Sequence, residues 1–386
     1  MPPAVTESQF DAALASASFP AVGYLHAPLP MVDPLDAYRA LTQTSAHGFL
    51  LESGTKVASS DPDGAFVGAE TPESHARYSY IGVDPIATVA ITGGSVEIDV
   101  HERRFEGLFA RLRTAATDVD GDVLDRLRSM VSPIDHSAIP ETPPYRFTGG
   151  LVGFLAYEAV YDIWLEEVGV ARPAGARPDA VFALTTTTVA VDHLAGEAAL
   201  IYTPLMTSPD AQAAAYDRFR ARLEEVRSAL SDVGPSPAAR GTFHAADTGM
   251  TQTAYEAAVS QTIDHIERGD IYQGVIARAR TFETDLDPTH LYAALRKINP
   301  SPYMYLLNDG DLRVIGASPE TLVSVRDGRV VVNPIAGTCA RGGSPVEDRR
   351  LAGEMLADDK ERAEHTMFVD LARNDVRRVA EAGSVR

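Results

Sequence analysis

Apolar residues along the chain follow two different spacings. In the runs 180–191 and 198–204, apolar and β-branched residues follow one another directly, which is typical of β-strands. Apolar positions three and four residues apart mark 211–230 and 253–268, and this spacing predicts helices. The chain therefore mixes strands with helices, and its 386 residues are enough for a large core and roughly two or three domains.

A connection is predicted at 231–241, where Pro, Gly, Ala and Ser are frequent. It separates an N-terminal region, residues 1–235, from a second region, residues 242–386. The sequence has no internal repeat and no low-complexity tract.

Two helices near the end of the chain are predicted by their capping residues. Ser344 and Glu347 bracket Pro345 in the spacing of a capping box, with proline at the first helical position. Asp358 and Glu361 stand in the same spacing ahead of the second helix. Its apolar residues at helical spacing are Ala363, Met367, Phe368 and Leu371.

Glu364 falls in register with Phe368 and Leu371 on the apolar stripe of this second helix. A carboxylate on a buried stripe costs several kcal/mol unless it is paired or metal-bound. Two interpretations stay open. Glu364 either lies at the edge of the stripe, reaching water or pairing with Lys360, or it holds a cation.

Two connections next to predicted strands hold candidate site residues. A short strand at 330–332 leads into the loop 333–338, and loops between a strand and a helix often hold ligands. In the second connection, Glu320 follows a proline and is a candidate general acid, which requires a pKa raised toward neutrality. The alternatives are an ordinary loop and a solvated surface carboxylate.

The composition is strongly acidic, with a formal net charge of -20 and a pI near 4.9. Lys56, Lys297 and Lys360 are the only lysines among 34 basic residues. This resembles proteins of salt-accumulating halophiles, in which salt screens surface repulsion, so we expect weaker folding at low ionic strength. No Lys/Arg block offers a phosphate-neutralising surface, which argues against a nucleic-acid partner. The arginines of 103–113 alternate with apolar residues and predict an exposed helix face.

Cys339 is the only cysteine, so an intrachain disulfide is impossible, as expected in a reducing compartment. No apolar run reaches membrane-spanning length, and the N-terminus lacks the layout of a signal peptide. Together these features predict a cytoplasmic protein without a membrane partner. A catalytic thiol at Cys339 would need a nearby base, and a neutral replacement is the alternative.

Short motifs are spread along the chain from about residue 50 to its last residue. They are LLES (50–53), RYSYIG (77–82), FTGG (147–150) with Gly153 and Tyr157, GDIYQ (269–273), NPSPYMY (299–305), ASPE (317–320), PIAGT (334–338), KERAEH (360–365) and DLARND (370–375). In this order they resemble the chorismate-utilising enzymes and, among them, the large component (component I) of anthranilate synthases. The resemblance implies an α+β fold, a sandwich of large antiparallel β-sheets flanked by helices, with strands drawn from both regions.

The resemblance also implies a chemistry. Ammonia adds to the ring of chorismate, the 4-hydroxyl leaves, and pyruvate is eliminated to give anthranilate. Glu364 matches the family's magnesium-binding glutamate, and Glu320 matches the glutamate thought to protonate the departing hydroxyl. Mg²⁺ is a hard cation that takes only one or two protein carboxylates beside its substrate, where it neutralises charge and orients the ring.

Two positions distinguish relatives that deliver different nucleophiles. Gln273 stands where relatives that add water carry a lysine, and an amide has no such proton chemistry. It lies in a strand-like run, 271–281, where a buried amide bonded to backbone is the alternative. Ala336 stands where aminodeoxychorismate synthases often place a nucleophilic lysine. Both positions favour ammonia addition, and Gly337 and Thr338 complete the predicted catalytic loop.

The LLES and NPSPYMY segments resemble the two halves of the tryptophan feedback pocket of anthranilate synthases, which are adjacent in the family fold. Glu52 and Ser53 would face the amino-acid head group. The second half of the predicted pocket is Asn299, Pro300, Tyr303, Met304 and Tyr305. Its last three residues would contact the indole or its surroundings, with methionine as an adaptable apolar wall. The alternative is a core hairpin without a ligand.

The chain departs from the family pattern in two places. The segment 54–76 is longer and acidic, which leaves open whether Lys56 replaces a basic residue of some relatives. At 383–386 relatives enter another strand and continue, so the C-terminal strands and helices, with a second magnesium-binding glutamate, are expected to be missing. We therefore expect exposed apolar surface where those elements would pack.

Three functional hypotheses follow from the resemblance. The first is the large component of an anthranilate synthase, inhibited by tryptophan and paired with a small glutamine amidotransferase subunit (component II) that supplies ammonia. The second is component I of an aminodeoxychorismate synthase. The third is a catalytically inactive, truncated homologue that binds tryptophan, which tryptophan binding without turnover would favour.

Overall fold

The computed structural model describes residues 4–43, 45–53, 77–166, 168–172, 177–234, 241–247, 249–319, 321–326, 328–336 and 339–386. Several sequence predictions lie outside the described residues. They concern the acidic segment 54–76 with Lys56, and the site residues Glu320, Gly337 and Thr338.

Helices and strands alternate irregularly along the described chain. The helices are α1 (Glu7–Leu14), α2 (Pro34–Leu41), α3 (Glu106–Asp118), α4 (Val123–Val131), α5 (Asp210–Ser231), α6 (Gln252–Glu267), α7 (Pro288–Ile298), α8 (Pro345–Ala357) and α9 (Asp359–Arg377). The strands are β1 (Ala21–Val22), β2 (Leu25–Leu29), β3 (His47–Glu52), β4 (Tyr78–Val83), β5 (Ala87–Thr92), β6 (Ser95–Val100), β7 (Gly150–Leu155), β8 (Ala180–Thr185), β9 (Thr187–Asp192), β10 (Glu197–Tyr202), β11 (Leu205–Met206), β12 (Phe243–Asp247), β13 (Thr281–Thr284), β14 (Tyr303–Asp309), β15 (Leu312–Ser318), β16 (Val323–Arg326) and β17 (Arg329–Val332). None of the helices in the described residues is both long and apolar enough to cross a membrane.

The larger sheet has, within the described residues, seven strands in the order β15-β14-β3-β4-β9-β10-β2. Every neighbouring pair is antiparallel. Leu50, Ile81, Val189 and Leu200 are fully buried on central strands and share one core with residues of α1, α2 and α5. Burying one face of a sheet against helices stabilises it by roughly 25 cal/mol for each Å² of apolar surface removed from water.

The smaller sheet has, counting described residues only, four antiparallel strands in the order β6-β5-β8-β7. Helices α3 and α4 contribute to its core, in which Phe109 and Leu112 pack with Ile91 of β5. The arginines of 103–113 lie on the exposed side of α3 and of the short 3-10 turn before it, as predicted.

The run 180–191, predicted as one strand, is two strands in different sheets. β8 pairs with β5 and β7, whereas β9 pairs with β4 and β10. Between them the carbonyl of Thr186 accepts a hydrogen bond from the Thr203 N–H at 2.8 Å. The junction lies within the run Thr185 to Thr188, and threonine is common in strands, so the residue pattern alone does not show that the chain changes sheets there.

Strands from both predicted regions build the larger sheet. β14 and β15 belong to residues 242–386, and β14 pairs with β3 of residues 1–235. The α+β architecture and the shared sheet are therefore as predicted. The proposed boundaries of the two regions stay predictions.

The predicted caps near the end of the chain are present. The Ser344 hydroxyl accepts from the Glu347 N–H at 3.3 Å, while the Glu347 carboxylate accepts from the Gly343 N–H at 2.8 Å, one residue before the expected position. Asp358 accepts from the Glu361 N–H at 3.0 Å. These bonds satisfy donors that every helix start leaves open.

The strand-like run 271–281 is irregular, and that prediction was wrong. Regular structure begins only at Thr281, where β13 pairs with β12. Gln273 is exposed and Val275 is 86% exposed, so the interpretation of Gln273 as a buried amide is also wrong. A strand needs a neighbouring strand for its backbone groups, and periodicity does not report whether one is there.

Large apolar side chains are exposed mainly in residues 242–386. Among the described residues of this region, the buried apolar side chains are Tyr292, Met304 and Leu306. Exposed ones include Val275, with others on β16, α8 and α9. Exposed apolar side chains are therefore concentrated in this region, and the packing of further elements on them stays a prediction.

Candidate functional site

The LLES and NPSPYMY segments meet at one antiparallel strand pair. Glu52 on β3 lies directly opposite Met304 on β14, and Leu51 lies opposite Tyr305. Opposed residues share a sheet face, so Glu52 and Met304 lie on one side, and Tyr303 and Tyr305 on the other. The predicted adjacency of the two segments is confirmed.

Glu52 is a buried carboxylate with two partners on α7. The Tyr292 hydroxyl donates to Glu52 Oε2 at 2.9 Å, and Arg296 Nη2 lies 2.6 Å from Glu52 Oε1. Glu52 is 5% exposed, and Tyr292 is fully buried. Burial raises the pKa of the Glu52 carboxyl, while the charge of Arg296 and the Tyr292 hydrogen bond oppose that rise.

Arg296 joins Glu52 to a second carboxylate, that of Asp33. Arg296 Nη2 lies 2.8 Å from Asp33 Oδ2, and Nη1 lies 3.3 Å from Oδ1. Asp33 is also the N-cap of α2, where Oδ1 accepts from the Leu35 N–H at 2.9 Å. Burial alone would raise the pKa of Asp33, but the hydrogen bond and charge of Arg296 outweigh it and hold that pKa below its usual value. The cluster therefore ties α2, β3 and α7 together.

Sequence reasoning missed Asp33, Tyr292 and Arg296. Asp33 precedes Pro34 in the pattern of a helix start, and Tyr292 and Arg296 stand one helical turn apart just before NPSPYMY. These local signals mark two helices. They do not show that both helices converge on Glu52.

The three residues predicted at the indole differ in exposure. Met304 is almost fully buried in the core beneath the larger sheet. Tyr303 is 39% exposed, and its hydroxyl contacts that of Thr321. Tyr305 packs so closely on Gly316 that any side chain there would overlap its ring.

The turn between α7 and β14 holds the remaining predicted contacts. Asn299 donates its N–H to the Leu295 carbonyl at 2.8 Å, and Pro300 is exposed. The buried Ser301 hydroxyl donates to the Asn299 carbonyl at 3.4 Å. Ser53 follows β3 and is half-buried. The predicted pocket residues thus surround one turn and one strand pair, and their contacts with a ligand stay predictions.

A second group of predicted residues lies where α9 packs against α8 and β17. Glu364 is half-buried on α9, and Ala336 is half-buried in the loop that leaves β17. Helix α9 contacts β17, the strand that leads into the loop of Ala336. Gln273 is exposed in the irregular run before β13, and its predicted role stays a prediction.

Glu364 fits the carboxylate that Mg²⁺ needs. It is half-buried, and in the described part of the chain no ion pair joins it to a basic side chain; Lys360 instead lies 4.0 Å from Glu361. No group of three or more His, Cys, Asp or Glu side chains suited to a metal occurs among the described residues. Because Mg²⁺ keeps several waters and binds substrate oxygens, one well-placed carboxylate suffices as a starting ligand.

Sequence comparison identifies relatives along the whole chain. A family model described as chorismate binding enzyme matches residues 69–386. Anthranilate synthase component 1 of Haloferax volcanii is 51% identical over 386 residues, which cover all of this chain and 72% of that protein. A relative from Haloarcula marismortui named anthranilate synthase component 1 2 is 52% identical over 362 residues, covering 92% of this chain and 66% of the relative.

Two solved structures share the fold. Anthranilate synthase component I of Streptococcus pneumoniae has a TM-score of 0.55 at 28% identity, covering 79% of this chain and 62% of that one. The menaquinone-specific isochorismate synthase of Escherichia coli has a TM-score of 0.51 at 16% identity, covering 94% of this chain and 67% of that one. This likeness concerns the fold alone. The predicted fold class is confirmed. Because the family model matches most of its length, the chain belongs to the family of chorismate-binding enzymes.

Proposed function

We propose that this chain is the chorismate-binding component of an anthranilate synthase, which converts chorismate and ammonia to anthranilate and pyruvate. The observation that carries the proposal is 51% identity, across the whole chain, to a protein named anthranilate synthase component 1. Gln273 and Ala336 support ammonia as the nucleophile. Neither side chain can perform the base or covalent chemistry of a lysine.

Side chains from three segments would act on the substrate in this proposal. Glu364 would hold Mg²⁺, which when bound neutralises charge on the substrate carboxylate and orients the ring. Glu320 would act as the general acid for the departing hydroxyl. The loop of Ala336, Gly337 and Thr338 would line the ring. The half-buried position of Glu364, on a helix beside β17, supports this arrangement.

Tryptophan is the inhibitor in this proposal, bound where β3 meets β14. Tryptophan has an ammonium group and a large, mostly apolar side chain, and the strand pair has the Glu52 carboxylate next to Met304. Charge-assisted hydrogen bonds to a carboxylate are the strong kind, which suits recognition of an ammonium. A separate glutamine amidotransferase subunit would supply the ammonia, and the cytoplasm would be the compartment.

Product analysis tests the proposal. The chain is incubated with chorismate, Mg²⁺ and ammonium chloride in molar potassium chloride, and the products are identified by mass spectrometry. Anthranilate with pyruvate supports the proposal. Aminodeoxychorismate without pyruvate would assign the chain to the second enzyme hypothesis. Tryptophan binding without any product would favour the inactive regulatory homologue.

A further inference from the structure

The charged groups around Glu52 do not balance. Asp33 and Glu52 are carboxylates and Arg296 is the cation between them. Tyr292 stays a neutral phenol because burial raises its pKa far above the usual value. The pKa of His193 is lowered by burial and by the charge of Arg296, which favours a neutral imidazole. The cluster therefore has one more carboxylate than it has cations.

The arginine of α2, Arg39, has partners at a different place. Arg39 lies 3.5 Å from Asp36, and its Nε donates to the Thr289 hydroxyl at 3.1 Å. The charge that depresses the pKa of Asp33 comes from Arg296. Arg296 is thus the cation in contact with both carboxylates of the cluster, as far as the described residues show.

Arg296 stands between the buried carboxylate and the surface. The side chains of Glu52, Arg296 and Asp33 are 3%, 31% and 40% exposed, respectively. Because Tyr292 and Arg296 hold the two oxygens of Glu52, an ammonium group that binds Glu52 competes with one of them. Since Arg296 already contacts Asp33 at 2.8 Å, it can release Glu52 and still keep an ion pair.

We propose that Arg296 competes with the ammonium group of a bound amino acid for Glu52, and that Asp33 holds Arg296 once the ligand has displaced it. The incoming ammonium supplies the cation that the cluster lacks. Asp33 and Arg296 are then positioning residues that set ligand affinity through Glu52. The inference rests on the proposed function, because the ligand is the tryptophan assigned there to this strand pair.

Release of Arg296 from Glu52 also alters the connection between elements. Arg296 lies on α7, which leads directly into the turn at Asn299 and then into β14. Tyr292 on the same helix keeps its own hydrogen bond to Glu52 Oε2. Ligand binding would therefore loosen one of two ties between α7 and β3 and leave the other in place.

The substitution Asp33→Asn tests this competition. Asparagine still caps α2, because it is as good an N-cap as aspartate. It removes the charge that receives Arg296, so Arg296 stays on Glu52 and the ligand is excluded. We expect the Kd of L-tryptophan, measured by calorimetry on the full chain in molar potassium chloride, to rise about fivefold to tenfold.

Asp36→Asn is the matched control. Asp36 lies in the same first turn of α2, is similarly exposed and pairs with Arg39, so the variant removes the same charge without touching the cluster. We expect its Kd to change by less than about twofold, as for an ordinary surface ion pair. A tryptophan Kd in Asp33→Asn that matches the wild-type value would overturn the inference.

A second ligand separates charge from general disturbance. Indole-3-propionate has the ring and carboxylate of tryptophan without the ammonium group, so Asp33→Asn should not weaken its binding. An equal loss of affinity for both ligands would mean that the variant disturbs the pocket, and the inference would fail. If the wild type binds no tryptophan, the proposed feedback function fails and takes this inference with it. If the wild type binds but Asp33→Asn changes nothing, only the inference fails.

Discussion

The Glu52 carboxylate can be buried because each of its oxygens has a hydrogen-bond donor. The Tyr292 hydroxyl contacts Oε2 and the Arg296 guanidinium contacts Oε1. Removing one donor leaves a buried polar atom without a partner, which costs the desolvation of that atom as well as the bond. Tyr292 therefore supports a buried charge in addition to filling the core.

Tyr292→Phe should lower the free energy of unfolding by about 1–3 kcal/mol, because it removes only the hydroxyl that donates to Glu52. Urea unfolding in molar potassium chloride at neutral pH measures the loss. Tyr216→Phe is the control, since Tyr216 is a half-buried phenol on α5 away from the cluster; its effect should stay within about 0.5 kcal/mol. Equal losses in the two variants would contradict the role given to Tyr292.

Glu364→Gln should raise the Mg²⁺ concentration needed for half-maximal chorismate binding by about tenfold or more, because the amide keeps the shape and removes the charge. Calorimetric titration of Mg²⁺ in the presence of chorismate measures this midpoint. Glu361→Gln removes a charge one turn earlier on α9 and serves as the control. An unchanged midpoint in Glu364→Gln would show that the carboxylate does not bind the metal.

Sequence patterns predict single residues only where their partners are near or where a family motif marks them. LLES marked Glu52 through the resemblance. Its hydrogen bond to Tyr292 joins residues 240 positions apart, and the bond between Asp33 and Arg296 joins residues 263 apart. No local spacing carries that information, so the cluster could be seen only in the folded chain.

At the scale of helices and strands, the sequence predicts a feature when the residues that form it are close together along the chain. The caps at Ser344 and Asp358 join residues at most three positions apart, and both were found from the sequence. Two strand predictions differ from the structure, the division of 180–191 and the absence of a strand over most of 271–281, and both differences depend on distant partners. One continuous pattern splits between two sheets, and the other has no partner strand in the described chain before Thr281.

Gly82 on β4 tests the packing of the larger sheet. A Cβ at this position would overlap the ring of Phe49 on β3, which is buried. Gly82→Ala should therefore lower the free energy of unfolding by about 1–3 kcal/mol through overpacking.

Gly107→Ala provides a control of opposite sign. Gly107 lies within α3 with nothing near the new methyl group, so the substitution should raise the free energy of unfolding by about 0.4–1 kcal/mol. Urea unfolding measures the change in the free energy of unfolding for each variant, and the two changes should have opposite signs. A stabilised Gly82→Ala would show that β3 and β4 are not packed as described.

At the scale of the whole molecule, the main feature is the acidic surface and its effect on stability. The net charge of -20 creates a repulsion that opposes the compact state. Dissolved salt shortens the range of that repulsion to about 3 Å at 1 M, compared with about 10 Å at 0.1 M. The large exposed apolar side chains of residues 242–386 add a surface that is also less soluble in concentrated salt.

Raising potassium chloride from 0.1 M to 2 M should therefore raise Tm by about 5 °C or more, a change of roughly 4 kcal/mol for a chain of this size. Most of the rise should occur below about 1 M, because charge screening is nearly complete there. Thermal unfolding followed by circular dichroism measures the profile. A Tm that stays constant over this range would contradict the importance of surface repulsion.

The central claim is that this chain joins ammonia to chorismate. The most direct test supplies ¹⁵N-labelled ammonium chloride with chorismate and Mg²⁺ in molar potassium chloride, and measures labelled anthranilate and pyruvate together. We predict that both accumulate in equal amounts, that all of the anthranilate carries the label, and that omitting ammonium abolishes both. Unlabelled products, an aminated product without pyruvate, or chorismate left unchanged would contradict the claim.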